Sequence, residues 1–178
     1  MAATFIVEDG TGLAAANSLI SVADADLIDE NFTSSALWVA ATDAVKQNSL
    51  REATRYLNYH YSWCGYKVDP DQGCQWPRYE TIDEDDNAID SDIVPQRVEE
   101  ACVYLAVKVL DGDTLLPDFT NESKVKKTKE VIGPLTDEKE YVTGESPDKT
   151  YTIADQLVSP FVTGEEGGEF GTTEIQRG

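Results

Sequence analysis

Apolar residues return at helical spacing in three stretches of this chain. Val22, Ala25, Ile28 and Phe32 stand three or four apart behind Ser21, and Asp24, Asp26 and Asp29 take the other side. That pattern predicts an amphipathic helix over about 22–32, with Ser21 as N-cap and Asp24 three residues on in the manner of a capping box. A second stripe of Val45, Ser49, Leu50, Ala53, Leu57 and His60 predicts a helix over 43–60 capped by Thr42 or Asp43. Its outward face is expected to carry Lys46, Arg51, Glu52 and Arg55. The clearest stripe is Val98, Ala101, Cys102, Leu105, Ala106 and Val109, opened by Pro95 and closed by Asp111-Gly112. The second and third helices are expected to pack through Leu50, Ala53 and Leu57 against Val98, Ala101 and Leu105.

The segments between the helices carry different signals. Thr33-Ser34-Ser35 breaks the first helix, and Leu37, Trp38 and Val39 read as an apolar plug. Residues 61–94 are too long for an ordinary loop, so Trp63, Tyr66, Trp76 and Tyr79 should pin them to the helices, with Pro77 fixing the backbone. Residues 4–20 read as an extended segment lying on the helices or on a neighbouring subunit. Asp9-Gly10-Thr11-Gly12 has turn chemistry but lacks the Lys and following helix of a phosphate loop.

Beyond Gly112 the pattern weakens. Leu115-Leu116-Pro117 reads as a tether. Lys124, Lys126, Lys127 and Lys129, interleaved with Val125 and Val131, predict a Lys-blunted edge strand that Gly133-Pro134 turns toward a second strand near Glu140 to Thr143. Ile153, Leu157, Val158 and Phe161 form a short apolar set that predicts a helix stopped at Pro160. The Gly- and Glu-rich tail carries Phe170 and Ile175 as anchors for a partner. The chain therefore divides into an extended segment over 1–20, a helical core over 21–116, and an arm and tail over 117–178. The expected fold class is mainly α, a small helical bundle whose C-terminal arm contains a short β-hairpin.

Charge narrows the function classes. Fourteen basic residues face 34 acidic ones, a formal charge of −20. A phosphate backbone is held by Lys and Arg, so this surface as a whole disfavours nucleic acid. Arg51 and Arg55, one helical turn apart, are candidates for an acidic partner. Lys124 to Lys129 is the one basic cluster, and Ile153, Leu157, Phe161 and Phe170 are further partner candidates. Asp83-Glu84-Asp85-Asp86-Asn87 lacks the Gly and terminal Glu of a calcium-binding loop. Cys64, Cys74 and Cys102, with His60 the one histidine, form neither a disulfide framework nor a zinc motif. No nucleophile–base pair stands out. No catalytic residue, cofactor or metal is expected, nor a membrane span or leader peptide.

Thr4-Phe5-Ile6-Val7-Glu8-Asp9-Gly10-Thr11-Gly12-Leu13, Ala16-Asn17-Ser18, Leu50 to Leu57, Tyr61-Ser62-Trp63-Cys64-Gly65, Gln75-Trp76-Pro77-Arg78 and Ile93-Val94-Pro95 occur in this order. Their order and spacing over roughly 4–160 resemble a family of tailed-bacteriophage proteins, often labelled DnaT-like single-stranded-DNA-binding proteins, and also the head–tail adaptor (connector) proteins of long-tailed phages. The adaptor resemblance implies a small helical domain in a homo-oligomeric ring, commonly of twelve subunits, assembled in the host cytoplasm and placed at the virion neck. It implies docking to the portal protein and to a downstream neck or tail-terminator protein, with double-stranded DNA passing through and not specifically bound. The DnaT-like label implies instead a replication protein that binds single strands, which needs a basic groove and exposed stacking aromatics.

Overall fold

The computed structural model describes residues 4–116, 128–132, 135–139 and 150–163. The fold is mainly α. Helix α1 (Val22–Ile28) runs into a wider turn over Asp29–Thr33, and α2 (Ala36–Ala40), α3 (Asp43–His60) and α4 (Gln96–Leu110) follow. Helix α5 (Thr152–Val158) ends in a tight turn over Ser159–Phe161. Two antiparallel pairs complete it, β1 (Tyr66–Lys67) with β2 (Arg78–Tyr79) and β3 (Thr128–Ile132) with β4 (Leu135–Lys139). In the second pair Ile132 stands opposite Leu135, so β4 begins before the expected Glu140 to Thr143.

The helices form where their caps and stripes direct. The Ser21 hydroxyl accepts from the Asp24 amide and donates to its carboxylate, opening α1. The Ser35 hydroxyl accepts from the Trp38 amide and opens α2. Pro95 caps α4, and Gly112 ends it at φ +94°, a left-handed turn that glycine adopts without steric cost. Helix α4 lies at the centre, packed against α3 on one side and α5 on another. Leu50, Ala53 and Leu57 meet Val98, Ala101 and Leu105 in a core that excludes solvent completely at all six. Each large aliphatic side chain so buried contributes roughly 1.5–3 kcal/mol.

The long connection is tied down by aromatics and by one cation. Trp76 and Trp63 are buried, their ring centroids 5.7 Å apart, and Phe161 packs on Trp76 at 5.6 Å. The Trp63 indole also donates to the Leu57 carbonyl. Pro77 follows Trp76 through a cis peptide. Gly65 sits at φ +67°, and an added Cβ would stand 2.0 Å from the Tyr79 carbonyl oxygen. The Arg78 guanidinium is buried at the middle of this loop. It donates to the carbonyls of Cys64 (2.6 Å), Trp63 (3.3 Å), Gly65 (2.8 Å) and Gln75 (3.0 Å), and to the Gln75 side chain (3.0 Å). Those acceptors solvate its charge, and among the described residues no carboxylate forms an ion pair with it.

Several sequence expectations are corrected. The division at 116/117 does not hold for residues 150–163, which belong to the core. Tyr151, Ala154, Val158 and Phe161 are buried, Leu157 packs against the core, and the backbone is stitched to the α3 end through Trp63 and Val162. Lys46 is not outward-facing. It is 8% exposed, donates to Asp26 at 2.7 Å and lies over the Trp38 ring. Trp38 donates to the same carboxylate at 2.8 Å, so Asp26 joins α1, α2 and α3. Of the expected plug only Trp38 is buried; Leu37 and Val39 face outward, as does Val45. Tyr66 and Tyr79 pair across β1–β2 with both rings exposed and so do not pin the loop. His60 is exposed and stacks on Tyr56. The N-terminal segment lies on the chain's own helices, with Leu19 and Ile20 buried and the Leu19 amide bonded to the Thr54 hydroxyl.

Candidate functional site

A surface groove that holds cations runs along α3. The Ala16–Asn17 turn and Gly73 form one wall. Arg51, Glu52, Thr54, Arg55, Asn58 and Tyr59 form the other, enclosing about 300 Å³. Arg51, Arg55 and Tyr59 recur every four residues and so form one stripe. Tyr59 is 77% exposed, with its ring at the groove mouth. Arg51 donates to Asn48 and Arg55 to Glu52, both on the helix surface. Exposed pairs of this kind are worth about 0.2–1 kcal/mol and exchange readily for another acceptor. The wall is rigid because Asn58 accepts from the Gln75 amide at 2.9 Å, while Thr54 is held by Leu19 and Cys102.

A second concavity, of about 510 Å³, lies over the turn between α1 and α2 and is lined by Asp29, Glu30, Ser34, Ser35, Ala36, Val39 and Ala40. It offers no cation.

The glycine loop is organised from inside. The Glu8 carboxylate accepts from the amides of Gly10 (3.1 Å), Gly12 (2.9 Å) and Leu13 (3.0 Å). A buried side-chain anion therefore fills the position a phosphate would need. Gly10 is at φ +93°, and an added Cβ would meet the Asp92 carbonyl oxygen at 1.9 Å.

Reactive groups are muted. Burial pushes the thiols of Cys74 and Cys102 up to about 12. The thiolate is the nucleophile, so neither is activated at neutral pH. Burial likewise raises the Tyr61 hydroxyl, which donates to Asp155 at 2.6 Å and stitches α5 to the end of α3. At the acidic tip Asp83 accepts from the Asp85 and Asn87 amides, so that loop closes on itself. Among the described residues no three His, Cys, Asp or Glu side chains converge as metal ligands. No helix among them is long and apolar enough to cross a membrane.

Of the partner candidates, the structure brings Arg51 and Arg55 together in the groove. Ile153 is partly exposed on α5, Leu157 is half-buried, and Phe161 is a core residue unavailable to a partner. Lys129 lies on β3 in register with Glu138. Lys124, Lys126, Lys127 and Phe170 lie outside the described residues. Sequence reasoning missed Tyr59, although its four-residue step from Arg55 was the available signal. Asn17 and Gly73 join the groove only through folding.

The family model described as "Putative DnaT-like ssDNA binding protein" matches residues 3–178. The chain belongs to this family. No curated protein matches it, and no solved structure does. Within the family's span the features that set shape are the Glu8 loop, the Arg78 clasp and the α3–α4–α5 core. The Arg51–Arg55–Tyr59 stripe lies on their surface.

Proposed function

We propose that this chain is a structural protein of a phage neck, a head–tail adaptor that forms a ring beneath the portal, extends the DNA channel and docks the next neck or tail protein. The observation that carries this reading is the disposition of charge. Residues 4–116 and 150–163 hold 22 acidic and seven basic side chains, a difference of −15. Each of the seven has a partner within the fold. Lys46 meets Asp26, Arg55 meets Glu52 and Arg97 meets Glu84. Arg51 meets Asn48, Lys67 the Gln72 carbonyl, Arg78 its ring of carbonyls, and Lys108 the Tyr104 ring. A channel wall of this character repels sliding DNA and keeps it from sticking. The virion neck as the place of assembly is part of the proposal and rests on the resemblance of the ordered motifs over 4–160 to adaptors.

A second function, a DnaT-like replication protein that binds single strands, is favoured by the printed description of the family and by the Arg51–Arg55–Tyr59 stripe. An exposed ring beside two guanidiniums is the unit such proteins use to stack bases and hold phosphates. Two arginines are few for a strand path, and Glu52 lies between them.

One pair of measurements separates the two. Electron microscopy of the full chain, alone and with a portal ring, is expected to show a closed ring seated on the portal. Fluorescence anisotropy with a thymidine oligonucleotide at physiological salt is expected to show no binding. Binding at roughly micromolar strength or tighter, weakening steeply with salt, with no ring on the portal, replaces the adaptor by the strand-binding protein.

A further inference from the structure

Helix α2 turns one side in and the other out. Trp38 is buried with its indole bonded to Asp26, while Ala36, Val39 and Ala40 line the concavity of about 510 Å³ over the α1–α2 turn. These three stand at i, i+3 and i+4, on one face of the helix. Val39 is 73% exposed, and Leu27, Phe32, Leu37 and Val45 on the neighbouring turns are exposed as well. Exposed apolar surface of this kind, rimmed by polar residues, marks an interaction site. The turn beneath it is fixed. The buried Asp29 carboxylate accepts from the Thr33 hydroxyl and from the Ser35 amide at 3.1 Å, and the Ser35 hydroxyl caps α2. The groove is therefore pre-formed, which lowers the ordering cost of binding.

Charge selects the occupant. The groove lining carries Asp29 and Glu30 and no cation. Residues 22–48 hold Asp24, Asp26, Asp29, Glu30 and Asp43 against Lys46 alone, and Lys46 is buried and bonded to Asp26. A second copy of this chain, at −20, is repelled from such a face, as is nucleic acid. We propose that the α1–α2 groove docks an apolar helix of another protein, edged by lysine or arginine. The apolar face of that helix packs on Ala36, Val39 and Ala40, a helix laid in a groove. Its cations lay their methylene stems along the same wall and bring their charged heads to Asp29 and Glu30. This docking holds for a neck adaptor and for a strand-binding protein alike and rests on neither reading.

Fluorescence anisotropy with the full chain tests this. The probe is a labelled peptide of about 18 residues with leucine on one helical face and lysine on the other. It is expected to bind at roughly 10 μM, and the same peptide with glutamate for lysine is expected not to bind. Val39→Ser should weaken binding about tenfold, the loss of one buried valine. Glu30→Gln should weaken it about threefold and make it less sensitive to salt. Both positions are on the surface, and circular dichroism checks that the fold persists. A p-benzoylphenylalanine in place of one leucine of the peptide is expected to crosslink to residues 36–40. No saturable binding up to about 1 mM overturns the proposal. So does equal binding of the glutamate peptide, an affinity that V39S leaves unchanged, or a crosslink to another face. Self-association of the full chain that V39S abolishes in the ultracentrifuge assigns the groove to a second copy and overturns it too. Ring formation on a portal is read separately and decides nothing here.

Discussion

Arg78 gives the sharpest test of what holds the long connection in place. Its guanidinium is 7% exposed and donates to four backbone carbonyls and one side-chain amide. Burial lowers its pKa, but arginine starts so high that it stays charged. Arg78→Met keeps most of the stem and removes every donor. Each buried acceptor left unpaired costs about 1–3 kcal/mol. Water reaches some of the four carbonyls after the change, and the desolvation cost of the lost cation is recovered. The net expectation is a loss of about 3–5 kcal/mol, set against a typical domain stability of about 5–15 kcal/mol. Arg78→Lys should recover little, because an ammonium is a point donor and cannot span carbonyls contributed by Trp63, Cys64, Gly65 and Gln75. Urea unfolding followed by tryptophan fluorescence measures the change, and the Trp63–Trp76 pair reports directly on this region. The midpoint should fall with the slope unchanged. If both variants unfold within about 1 kcal/mol of the parent, the loop is held by its aromatics and the clasp assigned to Arg78 is wrong.

Other consequences are more local. Burial first, then the charges of Asp24 and Glu100, raise the Glu99 carboxyl to about 7. Its folded pKa thus exceeds its unfolded one, so its contribution is full below the unfolded value and is lost as pH rises through about 7. Glu99→Gln should flatten the fall in stability between pH 5 and pH 8, and denaturant titrations that show equal pH slopes for parent and variant would refute this. Glu8→Ala releases three amides and should cost about 1–3 kcal/mol, seen as a lower melting temperature; an unchanged one means water replaces the carboxylate. Iodoacetamide at pH 8 should modify the half-buried Cys64 in the native chain well before Cys74 and Cys102, whose thiols stand near 12. Mass spectrometry showing all three modified at one rate would contradict the buried positions of the other two.

The helices were legible because their signals are local. The Ser21 cap, the Asp111-Gly112 stop and the stripes over 43–60 and 95–111 each depend on residues within a few turns. Arg51 and Arg55 were legible as a pair for the same reason. Lys46 was not, because helical spacing alone puts it on the polar face. Its burial depends on Asp26 and Trp38, which two other elements deliver. The exposed rings of Tyr66 and Tyr79 were misjudged from size alone; a two-residue strand pair holds them on an outer face. Phe161 was expected on an arm because a stretch without a clear apolar stripe separates it from the core in sequence.

The sequence by itself determined the mainly helical class, the α3–α4 seam, the buried tryptophans and an acidic surface carrying few cations. These follow from spacing, caps and composition, which need no knowledge of distant neighbours. Only the tertiary structure decided where α5 packs, that Glu8 fills its own glycine loop, that Arg78 is satisfied by carbonyls, and that Asn17, Gly73 and the Arg51–Arg55–Tyr59 stripe share one groove. Each of these depends on groups brought together from separate parts of the chain, and burial and hydrogen-bond partners at that range are set by packing, not by periodicity.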